Sequence, residues 1–184
     1  MIKNFIYLNI GLFIILWVSS CNFNSMNSEM VFNKVVSETT KTLEKKYKMS
    51  AVGIGGSEVR NKIASVSISF SRYQGPITKE NGRKMIIYCL EAYISAVNEN
   101  EQLKPYLNNF TFTHENFDIV IINYQENGQR LKDPDIKVFA NYANKIHFKT
   151  EDPLDSYNYK TNESEPYLEA LTIVKKDTLL NVAN

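Results

Sequence analysis

Few residue types act as nucleophiles, metal ligands or proton carriers, and this chain places them sparsely. Its 184 residues include two cysteines, Cys21 and Cys89, and two histidines, His114 and His147. No CxxC or HExxH spacing joins them, so neither a metal nor a cofactor is expected. Cys89 falls in the apolar stripe of a helical segment, where a thiol acts as a small hydrophobe rather than a nucleophile. His147 alternates with Ile146 and Phe148, which puts it on one strand face with Lys145 and Lys149. Two ammonium groups there disfavour a bound cation, and a surface histidine is expected. His114, in Thr113-His114-Glu115 before a strand, is read the same way. Gly53, Gly55 and Gly56 come nearest to a named motif, but Glu58 stands where GxGxxG needs its third glycine, and no GK[ST] follows. They predict a bend or bulge. Ser65, Ser67, Ser69 and Ser71 form a ladder with no G-x-S-x-G turn. The carboxylate pairs Asp152 with Asp155 and Glu163 with Glu165 fall in a polar stretch read as a solvated loop. No catalytic residue is assigned, and the chain is not expected to be an enzyme. The alternative is an envelope hydrolase using His114 or His147 with a nearby carboxylate.

Cys21 stands apart because of what precedes it. Lys3 gives a positive start, and Phe5–Val18 are apolar except for Asn9 and Gly11. This is the layout of a secretory signal peptide, and the run is shorter than the ~20 residues that span a bilayer. Val18-Ser19-Ser20-Cys21 resembles the bacterial lipobox, in which a cysteine after small residues is acylated with palmitate-type chains and becomes the new N-terminus. The resemblance implies a signal peptide over residues 1–20, lipidation at Cys21 and a place in the bacterial cell envelope, on the inner or the outer membrane. Two acyl chains anchor stably where one holds only marginally. Residues 21–28, rich in Asn and Ser, read as a flexible tether.

Lys3 is the one charged residue before Cys21, so the chain from Cys21 onward carries 20 basic and 20 acidic residues. A nucleic-acid binder usually shows a basic excess, so no nucleic-acid partner is expected. A hydrophobic fraction of 43% suits one folded domain, placed at residues 29–178, with 179–184 fraying.

Periodicity supplies the elements. Val31, Val35, Thr39 and Leu43 predict a helix from Ser28 to Lys48. Its basic end, Lys41, Lys45, Lys46 and Lys48, is diluted by Glu38 and Glu44 and reads as a solvated face, the alternative being contact with anionic lipid headgroups. Met49–Ser57 and Lys62–Tyr73 predict strands, the second with one apolar and one hydroxyl face. Thr78 caps a helix to about Asn98, with Ile86, Leu90, Tyr93 and Val97 on one stripe. Phe117–Tyr124, Ile136–Tyr142 and Lys145–Thr150 predict three more strands, with Asn127-Gly128 signalling a tight turn. Ser164 or Glu165 caps a last helix with Pro166 in its first turn. The fold class is α+β: a five-stranded, mainly antiparallel sheet with helices on one face, in the order α-β-β-α-β-β-β-α.

The block Glu91–Tyr124, with Tyr167-Leu168-Glu169-Ala170-Leu171, resembles a family of small bacterial lipoproteins with no established activity. Tyr106, Phe110, Phe112 and Phe117 are expected to plug the end of the core. The functional expectation is a membrane-anchored binding or scaffolding module, its partners the membrane through the lipid and an envelope protein. A small-ligand carrier with a pocket between the second helix and the sheet is the alternative.

Overall fold

The structure, a computed structural model, describes residues 29–109 and 111–182. The expected signal peptide and tether, Cys21 and Phe110 lie outside the described residues. Helix α1 (29–47) leads into β1 (Met49–Val59) and β2 (Lys62–Arg72), followed by α2 (Lys79–Asn98). Then come β3 (Phe117–Asn123), β4 (Ile136–Tyr142), β5 (Lys145–Glu151), β6 (Tyr159–Pro166) and α3 (Tyr167–Val182). The six strands lie in sequence order in one sheet. Every neighbouring pair is antiparallel except β2 and β3, which run parallel and are joined through α2. A parallel pair needs a long crossover, and a 20-residue helix supplies it.

The architecture is α+β as the periodicity implies, but the sheet has six strands rather than five and is mixed. The missed strand is β6, whose sequence YKTNESEP has no apolar alternation. It is an edge strand, and edges tolerate charge. Its helix-side residues Glu163 and Glu165 pair with Lys79 and Arg83 of α2 instead of joining the apolar core. The expected loop and cap at Ser164–Pro166 are therefore strand, and α3 starts at Tyr167 and continues past the expected end at 178.

Period-2 alternation in β2 and β3 sends Val66, Ile68, Phe70, Phe117, Ile119 and Ile121 to the helix side, all without exposure. Phe139, Ile146 and Phe148 extend this layer across β4 and β5. Helix α2 lies on it through Ile86, Leu90, Tyr93 and Val97. Its first turn comes closest at Gly82, where a Cβ would collide with the Phe139 ring, so no larger residue fits. Thr78 caps the helix, its hydroxyl accepting from the Asn81 amide. Helix α1 packs its predicted stripe on the core, with Leu43 buried and Val31 and Val35 partly buried, and it also buries Val36 and Thr40. The Thr40 hydroxyl is satisfied by the buried Tyr93 hydroxyl at 2.7 Å. The end of the core is closed by Leu103, Leu107, Phe112 and Phe117, while Tyr106 is half-exposed. Asn98, in the last turn of α2, pins this plug by exchanging two 2.8 Å hydrogen bonds with the Phe112 backbone.

The Asn127-Gly128 turn forms, with the Gly128 amide donating to the Gln125 carbonyl and Gly128 at a left-handed φ of 83°. The chain then wanders to Ile136 before β4 begins, so a long connection replaces the expected tight hairpin. No described helix is long and apolar enough to cross a membrane.

Candidate functional site

Strand register sorts the polar residues onto two faces. Across the helix-free face run the rows Ser69, Val120, Ala140, His147, Ser164 and Ser71, Ile122, Val138, Lys149, Asn162. His147 is on the predicted face with Lys145 and Lys149, but it is buried rather than at the surface. Its ring stacks on Tyr142 at 3.8 Å, with Nε2 3.3 Å from the Tyr142 carbonyl. Burial holds its pKa below the usual imidazole value, Lys149 and Lys145 act in the same direction, and the Tyr142 carbonyl partly opposes them. Lys149 reaches over the rings of Tyr142 and Tyr159.

His114 is half-buried and lies 30 positions before Asn144, yet its Nε2 meets Asn144 Oδ1 at 2.6 Å. Its ring stacks on Tyr167 at 3.8 Å, and the Tyr167 hydroxyl donates to Glu91 Oε1 at 2.6 Å. Burial, then Glu91, pushes the Tyr167 phenol upward, so it stays protonated. Neither imidazole is hydrogen-bonded to a carboxylate among the described residues, so the pairing a histidine-dependent hydrolase needs is not assembled there.

The remaining candidates are structural. Cys89 is fully buried, and burial raises its thiol pKa to about 12, with Lys46 opposing weakly, so it is not an available thiolate. Gly53, Gly55 and Gly56 lie in β1 opposite Ser69, Ser67 and Val66, beside a register shift, which is the expected bulge. Ser65 bonds Ser57 across the hairpin at 2.7 Å, and Ser71 is buried. Asp152 and Asp155 cap turn amides of the loop before β6. No group of three His, Cys, Asp or Glu side chains among the described residues forms a metal site. Ile86, Leu90, Tyr93, Phe70 and Ile121 have no exposure, so the space between α2 and the sheet is filled.

Two of the concave regions formed by the described residues gather several charged side chains. The larger, about 740 Å³, lies beside the 125–135 connection and balances Arg130 and Lys132 against Glu126, Asp133 and Asp135. The smaller, about 540 Å³, is lined by Lys46, Tyr47, Lys48, Arg72, Lys84 and Tyr88, with Gln74, Ile77, Asn81 and Met85, and no carboxylate lines it. Sequence reading singled out Lys46 and Lys48 but grouped them with Lys41 and Lys45, which do not line this groove. Arg72 and Lys84 were missed because they come from the end of β2 and from α2, and only the fold brings them beside the end of α1.

The fold defines an α+β domain with a six-stranded mixed sheet and helices on one side. No protein-family model, curated protein or solved structure matches the chain.

Proposed function

We propose that this protein is a bacterial lipoprotein, held at a membrane of the cell envelope through Cys21, whose domain binds a ligand or partner rather than transforming one. The observation that carries the reading is the placement of Val18-Ser19-Ser20-Cys21 directly behind the Phe5–Val18 apolar run. An anchored domain of this kind needs no spanning helix of its own. The binding half of the reading is supported by imidazoles without carboxylate partners, a buried protonated thiol, and a cation-lined groove at the surface.

Metabolic labelling with a palmitate analogue tests the anchor. The wild-type chain should take up label and sediment with membranes. Cys21→Ala should lose the label entirely. Labelling that survives Cys21→Ala overturns the reading.

A further inference from the structure

We propose that the groove between the end of α1, the end of β2 and the first half of α2 binds the phosphate group of a small organic phosphate ester. This deepens the binding reading above and rests on it. Four cationic side chains from three elements line the groove: Lys46 and Lys48 from the α1 end, Arg72 from β2 and Lys84 from α2. Lys84 is held by Glu80 and Asp177, at 2.8 and 3.2 Å, and neither carboxylate lines the groove. Lys46, Lys48 and Arg72 have no carboxylate within ion-pair distance among the described residues. Among the described residues, other cations, such as Lys79, Arg83, Lys104 and Lys160, are paired with carboxylates, while Lys132, Lys145 and Lys149 are not. What sets the groove apart is that four cations share one concavity that no carboxylate lines.

These groups are also positioned. Arg72 Nη1 donates to the Gly75 carbonyl at 2.9 Å and to Asn123 Oδ1 at 3.4 Å. Both acceptors are neutral, so the guanidinium is held without being neutralised. The Lys46 ammonium sits 5.1 Å from the centres of both the Tyr47 and Tyr88 rings. Lys48 adopts a left-handed φ of 49° where the chain leaves α1, a position that glycine usually fills. The Tyr47 hydroxyl, on a residue of the same wall, is buried with no hydrogen-bond partner among the described residues.

Three cations without carboxylate partners, two from the α1 end and one from β2, suit the several oxygens of a phosphate dianion better than a single carboxylate. Ile77, Met85 and the tyrosine rings offer an apolar wall for the ester's organic part, and about 540 Å³ is a small-molecule volume. A lipid headgroup carries the same chemistry, and the titrations below separate the two sources.

Calorimetric titration of the full-length protein in detergent with phenyl phosphate tests this. Saturable one-site binding is expected. Lys48→Gln and Arg72→Gln should each weaken it about tenfold or more, and Lys149→Gln, on the opposite face of the sheet, should leave it unchanged. Thermal melts check folding, and exposed Lys48 provides a variant that keeps the fold if Arg72→Gln does not. Absence of saturation, or unchanged affinity in Lys48→Gln, overturns the proposal. Groove-dependent binding of monomeric dihexanoyl phosphatidylglycerol without binding of phenyl phosphate also overturns it, by assigning the groove to a lipid headgroup. A negative titration on protein still labelled at Cys21 sinks the ligand class and leaves the anchor standing.

Discussion

The two faces of the sheet are built from the same strands and obey different rules. On the helix side, Phe117, Ile119 and Ile121 of β3 are fully buried, with Phe70 and Ile68 beside them and α2 above. On the helix-free side, the intervening residues Asp118, Val120 and Ile122 are half-buried, and the neighbouring β2 residues are serines. Helix-side residues are fixed by packing, because a void or an extra methyl has nowhere to go. Residues on the free side are constrained by their strand neighbours alone, which leaves room for stacks such as Tyr142 on His147 and for polar ladders.

The most direct way to break this contrast is to truncate one residue on each face. Phe117→Ala removes a ring that touches both Tyr93 and Phe112, and should cost about 3–5 kcal/mol of stability. Ser67→Ala, exposed on the free face of the adjacent strand, should stay within about 0.5 kcal/mol. Urea unfolding of both variants provides the comparison. Similar losses would mean that an unseen partner or segment packs the free face as tightly as the helices pack the other.

A smaller effect is expected where the helix side stops being apolar. At β6 the layer ends in Glu165, which takes a two-pronged hydrogen bond from Arg83, including Nη2 to Oε2 at 2.8 Å, with both side chains about 13% exposed. Glu165→Gln keeps the shape but removes the charge that Arg83 faces. A charge-assisted bond of this kind is worth about 1.5–3 kcal/mol, so the loss should fall between the two previous variants. A melt indistinguishable from wild type would show that β6 is held by its backbone ladder alone.

These differences also explain what the sequence disclosed. The apolar alternation of Ala64 to Phe70 and the run from Phe117 to Ile122 revealed β2 and β3, and Thr78 revealed the start of α2, because burial and capping leave local signatures. Strand β6 left none, since its helix-side positions are carboxylates whose partners lie 84 and 82 residues earlier in the chain. The α1 stripe was right at Leu43 but missed Val36 and Thr40, because the Tyr93 hydroxyl that satisfies Thr40 lies 53 positions later in the chain. The groove was half visible as the lysine run ending at Lys48. Its other half, Arg72 and Lys84, depends on the parallel β2–β3 pairing through α2, and no local pattern encodes that pairing.

The smallest expected effect tests the free face from within. His147 lies in the middle of that face, between Ala140 and Ser164, and its depressed pKa means that the folded chain resists protonating it. The unfolded chain takes up that proton near the ordinary value of about 6.5, so just below this pH the unfolded state binds more protons than the native state. Stability should therefore fall as the pH drops through about 6.5 towards the lower folded value, and the penalty should be absent above that range. His147→Gln cannot titrate and should flatten this part of the profile while leaving the neutral-pH stability of the free face nearly unchanged. Urea midpoints at pH 7.5, 6.5 and 5.5 for both chains provide the measurement. A slope of the same size in the variant would assign the pH dependence to the carboxylates instead, and would show that burying His147 beside Ala140 on the helix-free face carries no protonation penalty.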